Sequence, residues 1–229
     1  MKHKDFTYGE LLHESFNLTK KHFWFLLGLF AINIVVSGVT DTIPVVGQII
    51  SLLLSIATLY SVLRIASGNK PSYRDMLSPI EDRQILWHYL LAMLAMFVLY
   101  GLGASFIYMK YAFSSMIGNS IIPALVAAAA AMGTVYFSVR LGFFGYFILE
   151  DRNAGPVEAF KKSWDMTDNH MWKLIGFLGI ALLLNIIGVT LLMLGLLFTI
   201  PMTMIATALI YKRWTRAKSV SPEQTSLSS

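Results

Sequence analysis

The sequence lacks cysteine and carries little charge. None of its 229 residues is cysteine, which excludes disulfides, thiolate metal sites and cysteine nucleophiles. Only 14% of the residues are charged, whereas a soluble domain carries about 25%. Hydrophobic residues make up 56% of the chain, and the mean hydropathy is +0.63. One soluble core of this size cannot bury so much apolar surface, so the composition indicates a membrane protein.

Long polar segments are also missing, and the longest is the C-terminal stretch from Lys212. The first 22 residues are polar, so we read no cleavable signal peptide and take the first apolar run as a span. A span needs about 20 apolar residues. The last apolar run has 38 residues, enough for a helix of about 57 Å, and we therefore expect it to turn near Gly195. Six spans result from the five apolar runs, 23–39, 43–63, 85–109, 121–149 and 174–211.

The distribution of basic residues predicts the orientation. With the N-terminus in the cytoplasm, 17 of the 18 lysines and arginines fall inside, and only Lys110 falls outside. The positive-inside rule therefore predicts a multi-pass protein of the cell inner membrane with both termini cytoplasmic. The formal net charge is +5, and because the basic residues flank the spans, we expect anionic lipid headgroups rather than nucleic acid as partners. All five tryptophans lie near predicted cytoplasmic ends, as interfacial anchors do: Trp24, Trp87, Trp164, Trp172 and Trp214.

The chain contains an internal repeat. Residues 10–29 align without a gap on residues 158–177, with seven of 20 positions identical, and the stretch that ends at Arg64 matches the one that ends at Arg213. The repeating unit is a short polar helix followed by a two-span hairpin. Both copies start inside, so the duplication is parallel. The identical pairs include Ser15/Ser163, Thr19/Thr167, Trp24/Trp172 and Gly28/Gly176.

These observations predict an all-α, polytopic membrane protein. It has six transmembrane helices and two amphipathic helices that lie at the cytoplasmic interface. Thr7 and Glu10 have the spacing of a capping box before the first amphipathic helix, and Pro156 suits the first position of the second. The predicted single membrane domain consists of repeat 1 at about 8–64, a central hairpin at about 85–149, repeat 2 at about 156–213 and a polar tail at 214–229.

One segment resembles a known family. The run YFILEDRNAGPVEAFKKSWDMTDNHMWKLIGF, followed by a Pro-interrupted hairpin that ends in ALIYKRW, resembles the bacterial and archaeal six-span YciC-type proteins. It is also similar to the membrane domain of glycerophosphoryl diester phosphodiesterases. The resemblance implies a six-helix membrane module in envelope or lipid homeostasis. The phosphodiesterases carry a separate catalytic barrel that we do not find in this sequence, so their activity does not carry over.

Arg140 is the only charge inside an apolar run. On an unbroken helix it would lie about 16 Å from Asp151, near mid-membrane, where an arginine must be paired or snorkel to the interface. Three readings follow: an anchor that snorkels, a site for a phosphate or carboxylate headgroup, and a partner for Asn33 or Asn185. Together with Gln48, these asparagines are the other polar side chains in the spans, and we expect them to form interhelical hydrogen bonds.

The sequence offers no converging set of nucleophile, base and metal ligands. Ser163 has no base in a recognisable arrangement, and its counterpart Ser15 favours a structural role. His22 and His170 lack further ligands at suitable spacing. No aspartate or glutamate lies deep in a span, so a proton or sodium relay lacks its carboxylates. We therefore predict no catalytic residue, metal or cofactor, and an intramembrane enzyme is the weakest of three hypotheses.

The first functional hypothesis is a non-enzymatic integral membrane protein that binds phospholipid or a membrane partner. The lipids are expected to be anionic, and a protein partner or a homo-oligomer is the other form of partner. The alternative is a small-solute transporter or a permease-like subunit, which six spans and a midplane arginine would suit. The residues predicted to bind a headgroup are Arg140, Lys161, Lys162, Lys173 and Arg213.

Overall fold

The computed structural model of the protein describes residues 7–40, 44–117, 121–190 and 195–220. These residues form helices and turns, with no strand among them. Two 3₁₀ turns lie at Asp75–Leu77 and Asp168–His170. The α-helices are α1 (Tyr8–Lys21), α2 (Phe23–Thr40), α3 (Pro44–Ala66), α4 (Ser78–Glu81), α5 (Arg83–Ile117), α6 (Ile121–Leu141), α7 (Phe144–Glu150), α8 (Pro156–Thr167), α9 (Met171–Thr190) and α10 (Leu196–Val220).

Most of the long helices are apolar enough to cross a membrane. Five segments of the described chain qualify by length and composition, and the bent pair α1 and α2 would count as a sixth. The two helices of that pair meet at 81°. The described part of the chain is therefore all-helical with five or six candidate spans, which is compatible with a multi-pass membrane protein. The five segments are Gly47–Ala66, Arg83–Phe106, Ala124–Glu150, Met171–Thr190 and Leu196–Arg216.

The last apolar run forms two helices, and the division between them lies near Gly195, as the length of the run predicted. Helix α9 ends at Thr190 and α10 begins at Leu196. A β-carbon at Gly195 would lie 2.7 Å from the backbone of Gly188, which is closer than real β-carbons approach, so only glycine fits this turn between the two helices. Helix α10 continues to Val220, and the first residues of the predicted polar tail are therefore helical.

The fourth apolar run differs from the expectation. The depth estimate for Arg140 assumed one unbroken helix, but α6 ends at Leu141 and α7 begins at Phe144. Arg140 thus belongs to the last turn of α6. Ala124–Glu150 still qualifies as one candidate span across this break, so the depth of about 16 Å stays a prediction. The fifth helix also departs from its predicted run, since α5 has 35 residues and extends beyond residue 109.

The chain forms two compact units. The first comprises residues 1–83 and 175–229. In it α1 packs along α10, while α3 packs against both α2 and α10. A buried cluster of Leu29, Ala57 and Met76 is flanked by Phe25 and Ile80. This unit therefore joins helices from both predicted repeats.

The second unit comprises residues 84–174. Its main helix packing places α8 against α6 and α7. The fully buried positions of α8 include Ala159, Ser163 and Thr167, which are spaced by four residues and so lie on one face of the helix. This face of α8 covers the break between α6 and α7.

The starts of the two short helices agree with the sequence only in part. Thr7 precedes α1 with an extended backbone, as an N-cap does, but its side chain makes no capping hydrogen bond. The predicted capping box is therefore wrong, although the position of the helix start is right. Pro156 is the first residue of α8, where its missing N–H costs nothing because the first helical amides have no partner within the helix.

Equivalent positions of the two predicted repeats have the same local structure. The hydroxyl of Thr19 donates to the carbonyl of Ser15 at 2.7 Å, and the hydroxyl of Thr167 donates to the carbonyl of Ser163 at 3.0 Å. All four of these residues are fully buried.

The matched glycines are alike as well. A β-carbon at Gly28 would lie 2.5 Å from the hydroxyl oxygen of Tyr73, and one at Gly176 would lie 2.5 Å from that of Tyr8. Each glycine therefore leaves room for a tyrosine hydroxyl from another part of its own compact unit.

Candidate functional site

Arg140 is buried and paired within the protein. It is only 8% exposed, and its guanidinium donates to a carboxylate oxygen of Asp168 at 2.7 Å. It also donates to the backbone carbonyl of Trp164 at 3.4 Å and to the hydroxyl of Tyr136 at 3.2 Å. The partners satisfy a charge that would be costly to bury alone, so Arg140 joins α6 to α8 and faces protein.

Two aromatic rings enclose the same guanidinium. Its central carbon lies 4.6 Å from the ring centroid of Trp164 and 5.4 Å from that of Tyr136. Both distances are within the range of about 6 Å over which a cation is attracted to an aromatic face. The planar guanidinium combines this attraction with its hydrogen bonds, which a lysine ammonium could not do as well.

Ser163 closes the helix break beside Arg140. Its hydroxyl donates to the backbone carbonyl of Arg140 at 2.7 Å and accepts the backbone N–H of Phe143 at 3.2 Å. These are backbone groups at the end of one helix and the start of the next, which need a partner outside the helix when buried. We call the set of Tyr136, Arg140, Ser163, Trp164 and Asp168 the Arg140 site.

A second ion-paired group lies on α8. The ammonium of Lys162 is 3.0 Å from Asp151 and 2.8 Å from Glu158. The hydrogen bond from Lys162 lowers the pKa of Asp151, and the bonds to Glu158 and Asp151 raise the pKa of Lys162. A lowered carboxyl pKa stabilises the fold above its unfolded value of about 4, and a raised lysine pKa does so below about 10.4. The ion pairs of Lys162 therefore stabilise the fold between about pH 4 and about pH 10.4, and this stabilisation is lost progressively as the pH moves outside that range.

The other residues predicted to bind a headgroup differ in their surroundings. Arg213 forms an ion pair with Glu14, and Lys173 is half-buried. Lys161 is exposed, and no carboxylate among the described residues pairs with it. Three of the five predicted residues, Arg140, Lys162 and Arg213, thus each hold a carboxylate of this chain.

The three predicted intramembrane polar residues also differ. Asn33 donates to the hydroxyl of Thr58 at 3.3 Å, which links α2 to α3. Asn185 instead donates to the carbonyl of Ala181 within its own helix, while Gln48 is exposed on α3. An interhelical bond is thus present for Asn33. The structure gives Arg140 a carboxylate partner, Asp168, where the sequence suggested an asparagine.

A polar groove runs along α1 in the first unit. It is an open surface groove with a volume of about 520 Å³. Most of the wall is formed by one face of α1, and α10 contributes a single arginine. We call it the α1 groove, and its lining residues are Glu10, His13, Glu14, Asn17, Leu18, Lys21 and Arg213.

The tryptophans divide into exposed and packed residues. Trp24 is 80% exposed at the start of α2, and Trp172 is 84% exposed at the start of α9. Trp87 is exposed as well, whereas Trp214 is buried and Trp164 covers Arg140. The prediction that all five serve as anchors is therefore wrong for Trp214 and Trp164, because both are occupied by packing within the protein.

The sequence reasoning missed the partners of Arg140. A usable signal existed, since a buried arginine requires a counter-charge and Asp168 lies in the repeated segment that follows the span. The α1 groove was missed for another reason. Glu10, Asn17 and Lys21 are spaced as one helix face, but the sequence alone does not show that Arg213 lies opposite them. Among the residues that the structure describes, no group of three or more histidine, aspartate or glutamate side chains is placed to hold a metal ion.

Comparisons with models of known protein families, with curated proteins and with solved structures found no match to this chain.

Proposed function

We propose that this chain is a non-enzymatic membrane protein that binds anionic phospholipid through exposed lysines, with exposed tryptophans as interfacial anchors. In the first unit these are Lys20 and Trp24, and in the second unit they are Lys161 and Trp172. The resemblance to six-span modules of envelope or lipid homeostasis is part of the proposal.

The observation that carries the proposal is the exposure of two equivalent tryptophans. Trp24 and Trp172 are 80% and 84% exposed, and each stands at the start of an apolar helix. Large aromatic side chains left this open at helix ends are typical of the membrane–water interface. Lysines at that level attract anionic headgroups by about 1 kcal/mol each.

The surroundings of the arginines support lysines as the lipid ligands. Asp168 neutralises Arg140, and Glu14 neutralises Arg213, so a headgroup would have to displace a carboxylate at either position. Lys20 and Lys161 are exposed and need no such exchange. In this proposal the Arg140 site holds α8 in place so that Lys161 and Trp172 meet the headgroups.

The test is native mass spectrometry of the full chain in mild detergent with added phosphatidylglycerol or phosphatidylcholine. We expect the wild type to retain phosphatidylglycerol in preference. Lys20→Gln with Lys161→Gln should weaken this retention by about fivefold at each site, as the loss of about 1 kcal/mol implies. The control is Lys70→Gln with Arg74→Gln, which removes the same charge from an exposed loop. Equal loss in both double variants, or in neither, would overturn the proposal.

We also propose six spans, both termini in the cytoplasm and a parallel duplication. The one-sided distribution of lysine and arginine supports the orientation. The matched hydrogen bonds of Thr19 and Thr167 support the duplication.

The absence of native cysteine makes the topology simple to test, because every labelled thiol would be introduced. A membrane-impermeant maleimide applied to intact cells should label Ser120→Cys and spare Ser226→Cys. Labelling of Ser226→Cys in intact cells would contradict the orientation, and labelling of Ser120→Cys only after lysis would do the same.

A further inference from the structure

The α1 groove contains charges of both signs in a fixed order along the helix. Glu10 lies toward the start of α1, Glu14 one turn later, and Lys21 at its end. Arg213 reaches the wall from α10 and pairs with Glu14. The volume of about 520 Å³ falls within the range of about 300–1,000 Å³ that small-molecule sites occupy.

The ends of the groove carry unmatched charge. Glu10 and Lys21 are exposed, and neither forms an ion pair with another described residue. A ligand that carried only a phosphate would meet the repulsion of Glu10 and Glu14, and one that carried only a cation would meet that of Lys21 and Arg213. A ligand that carries both charges is attracted along the whole groove.

We propose that the α1 groove binds a zwitterionic headgroup in which a phosphate and a primary ammonium are joined by a two-carbon linker. The ammonium lies at Glu14 and Glu10, and the phosphate lies at Lys21 and the amide of Asn17. This inference rests on the proposed phospholipid binding, but it uses a different set of residues and a different headgroup charge.

The spacing of the helix fits such a headgroup. Glu14 and Lys21 are seven residues apart, which corresponds to about 10.5 Å along the axis. If the two side chains extend alike from the helix, a charge-assisted hydrogen bond of about 2.8 Å at each end leaves about 5 Å between the ammonium nitrogen and a phosphate oxygen of the ligand. A two-carbon linker can span this separation, and Asn17 lies between the two ends, one turn before Lys21.

Glu14 can take part although it already pairs with Arg213. A carboxylate offers about four acceptor positions, and a bond to arginine leaves some of them free. A primary ammonium binds to the carboxylate by donating its own N–H groups to the carboxylate oxygens. A quaternary ammonium has no N–H to donate, so the groove should distinguish ethanolamine from choline.

Two sources could supply this chemistry, a membrane phospholipid or a soluble phosphoethanolamine. The experiment separates them by titrating the full chain in detergent with lysophosphatidylethanolamine, lysophosphatidylcholine, phosphoethanolamine and inorganic phosphate, followed by calorimetry. We expect lysophosphatidylethanolamine to bind about tenfold more tightly than lysophosphatidylcholine. Comparable binding of phosphoethanolamine would support the same site with a soluble ligand, and its failure to bind would support a lipid ligand.

Variants locate the binding in the groove. Glu10→Gln and Lys21→Gln should each weaken lysophosphatidylethanolamine binding by about fivefold to tenfold, whereas Lys70→Gln, in an exposed loop outside the groove, should leave it unchanged. Equal affinity for the two lysolipids, or measurable binding of inorganic phosphate as tight as that of phosphoethanolamine, would overturn the inference.

The two experiments can refute the proposed function and this inference independently. If Lys20→Gln with Lys161→Gln weakens phosphatidylglycerol retention while the two lysolipids bind equally, the groove assignment is wrong and anionic lipid binding stands. If the lysolipids are distinguished but phosphatidylglycerol retention does not depend on these lysines, the groove assignment stands alone.

Discussion

Replacement of Asp168 by asparagine tests whether the Arg140 site holds α8 to α6. The carboxylate accepts the 2.7 Å bond from Arg140, and asparagine retains an acceptor oxygen but removes the charge. The side chain of Arg140 is 10% exposed and that of Asp168 is 58% exposed. Removing one partner of a fully buried pair costs about 3–5 kcal/mol, while exposed pairs contribute at most about 1 kcal/mol.

The exposure of Asp168 places its pair between these limits, so we expect Asp168→Asn to lower the free energy of unfolding by about 1–2 kcal/mol. Arg140→Gln should cost more, about 3 kcal/mol, because it also removes the attraction to the rings of Tyr136 and Trp164. The variant that carries both Asp168→Asn and Arg140→Gln should lose less free energy of unfolding than the sum of the two single losses, by about 1 kcal/mol or more.

The assay is unfolding in mixed micelles of mild detergent and increasing sodium dodecyl sulfate, followed by tryptophan fluorescence. Asp165→Asn is the matched control, since Asp165 is exposed on the same helix and no described residue pairs with it. The ion pair does not stabilise the contact if Asp168→Asn and Asp165→Asn unfold at the same fraction of sodium dodecyl sulfate. The same conclusion follows if the cost of the double variant equals the sum of the costs of Asp168→Asn and Arg140→Gln.

Three further predictions use the same assay. Gly195→Ala should cost about 1–3 kcal/mol because its methyl group meets the backbone of the neighbouring helix; Gly179→Ala, which has open space around it, should cost nothing. Ser163→Ala should cost about 1–3 kcal/mol by leaving two buried backbone groups unpaired, whereas Ser15→Ala, whose hydroxyl bonds only within its own helix, should cost less. Lys162→Gln should destabilise the protein at pH 7, and its difference from wild type should shrink as the pH falls below about 4; a difference that does not change with pH would refute the ion-pair account.

The sequence was sufficient for features that depend on composition and period. Apolar runs predicted the helices, and the length of the last run predicted its turn near Gly195, because hydrocarbon thickness limits a span. The break between α6 and α7 was not predicted. It depends on Ser163, a residue 20 positions after Phe143, whose hydroxyl satisfies the backbone there. No local pattern contains a contact of this kind.

The site residues show the same division. Sequence reasoning selected Arg140 correctly as an unusual residue, since a charge in an apolar run is visible without a structure. Its partners were not visible, because Asp168 lies 28 positions away and reaches it only when α8 folds against α6. The polar spacing on α1 was likewise visible, but the groove exists only because Arg213 of α10 stands opposite.

The two short helices occupy equivalent places in the proposed repeat but are held differently. Helix α1 packs along α10, whereas α8 packs on α6 and α7, although Ser15 and Ser163 are both fully buried. Ser15 donates to Leu12 within α1, while Ser163 bonds to the backbone at the break after α6. The same serine thus satisfies its hydroxyl locally in one copy and joins two helices in the other. Asp168, the residue directly after α8, pairs with a buried arginine. Removal of α8 from its partner helices should therefore cost more free energy than removal of α1 from α10, and α1 is the helix whose polar face remains open to a ligand.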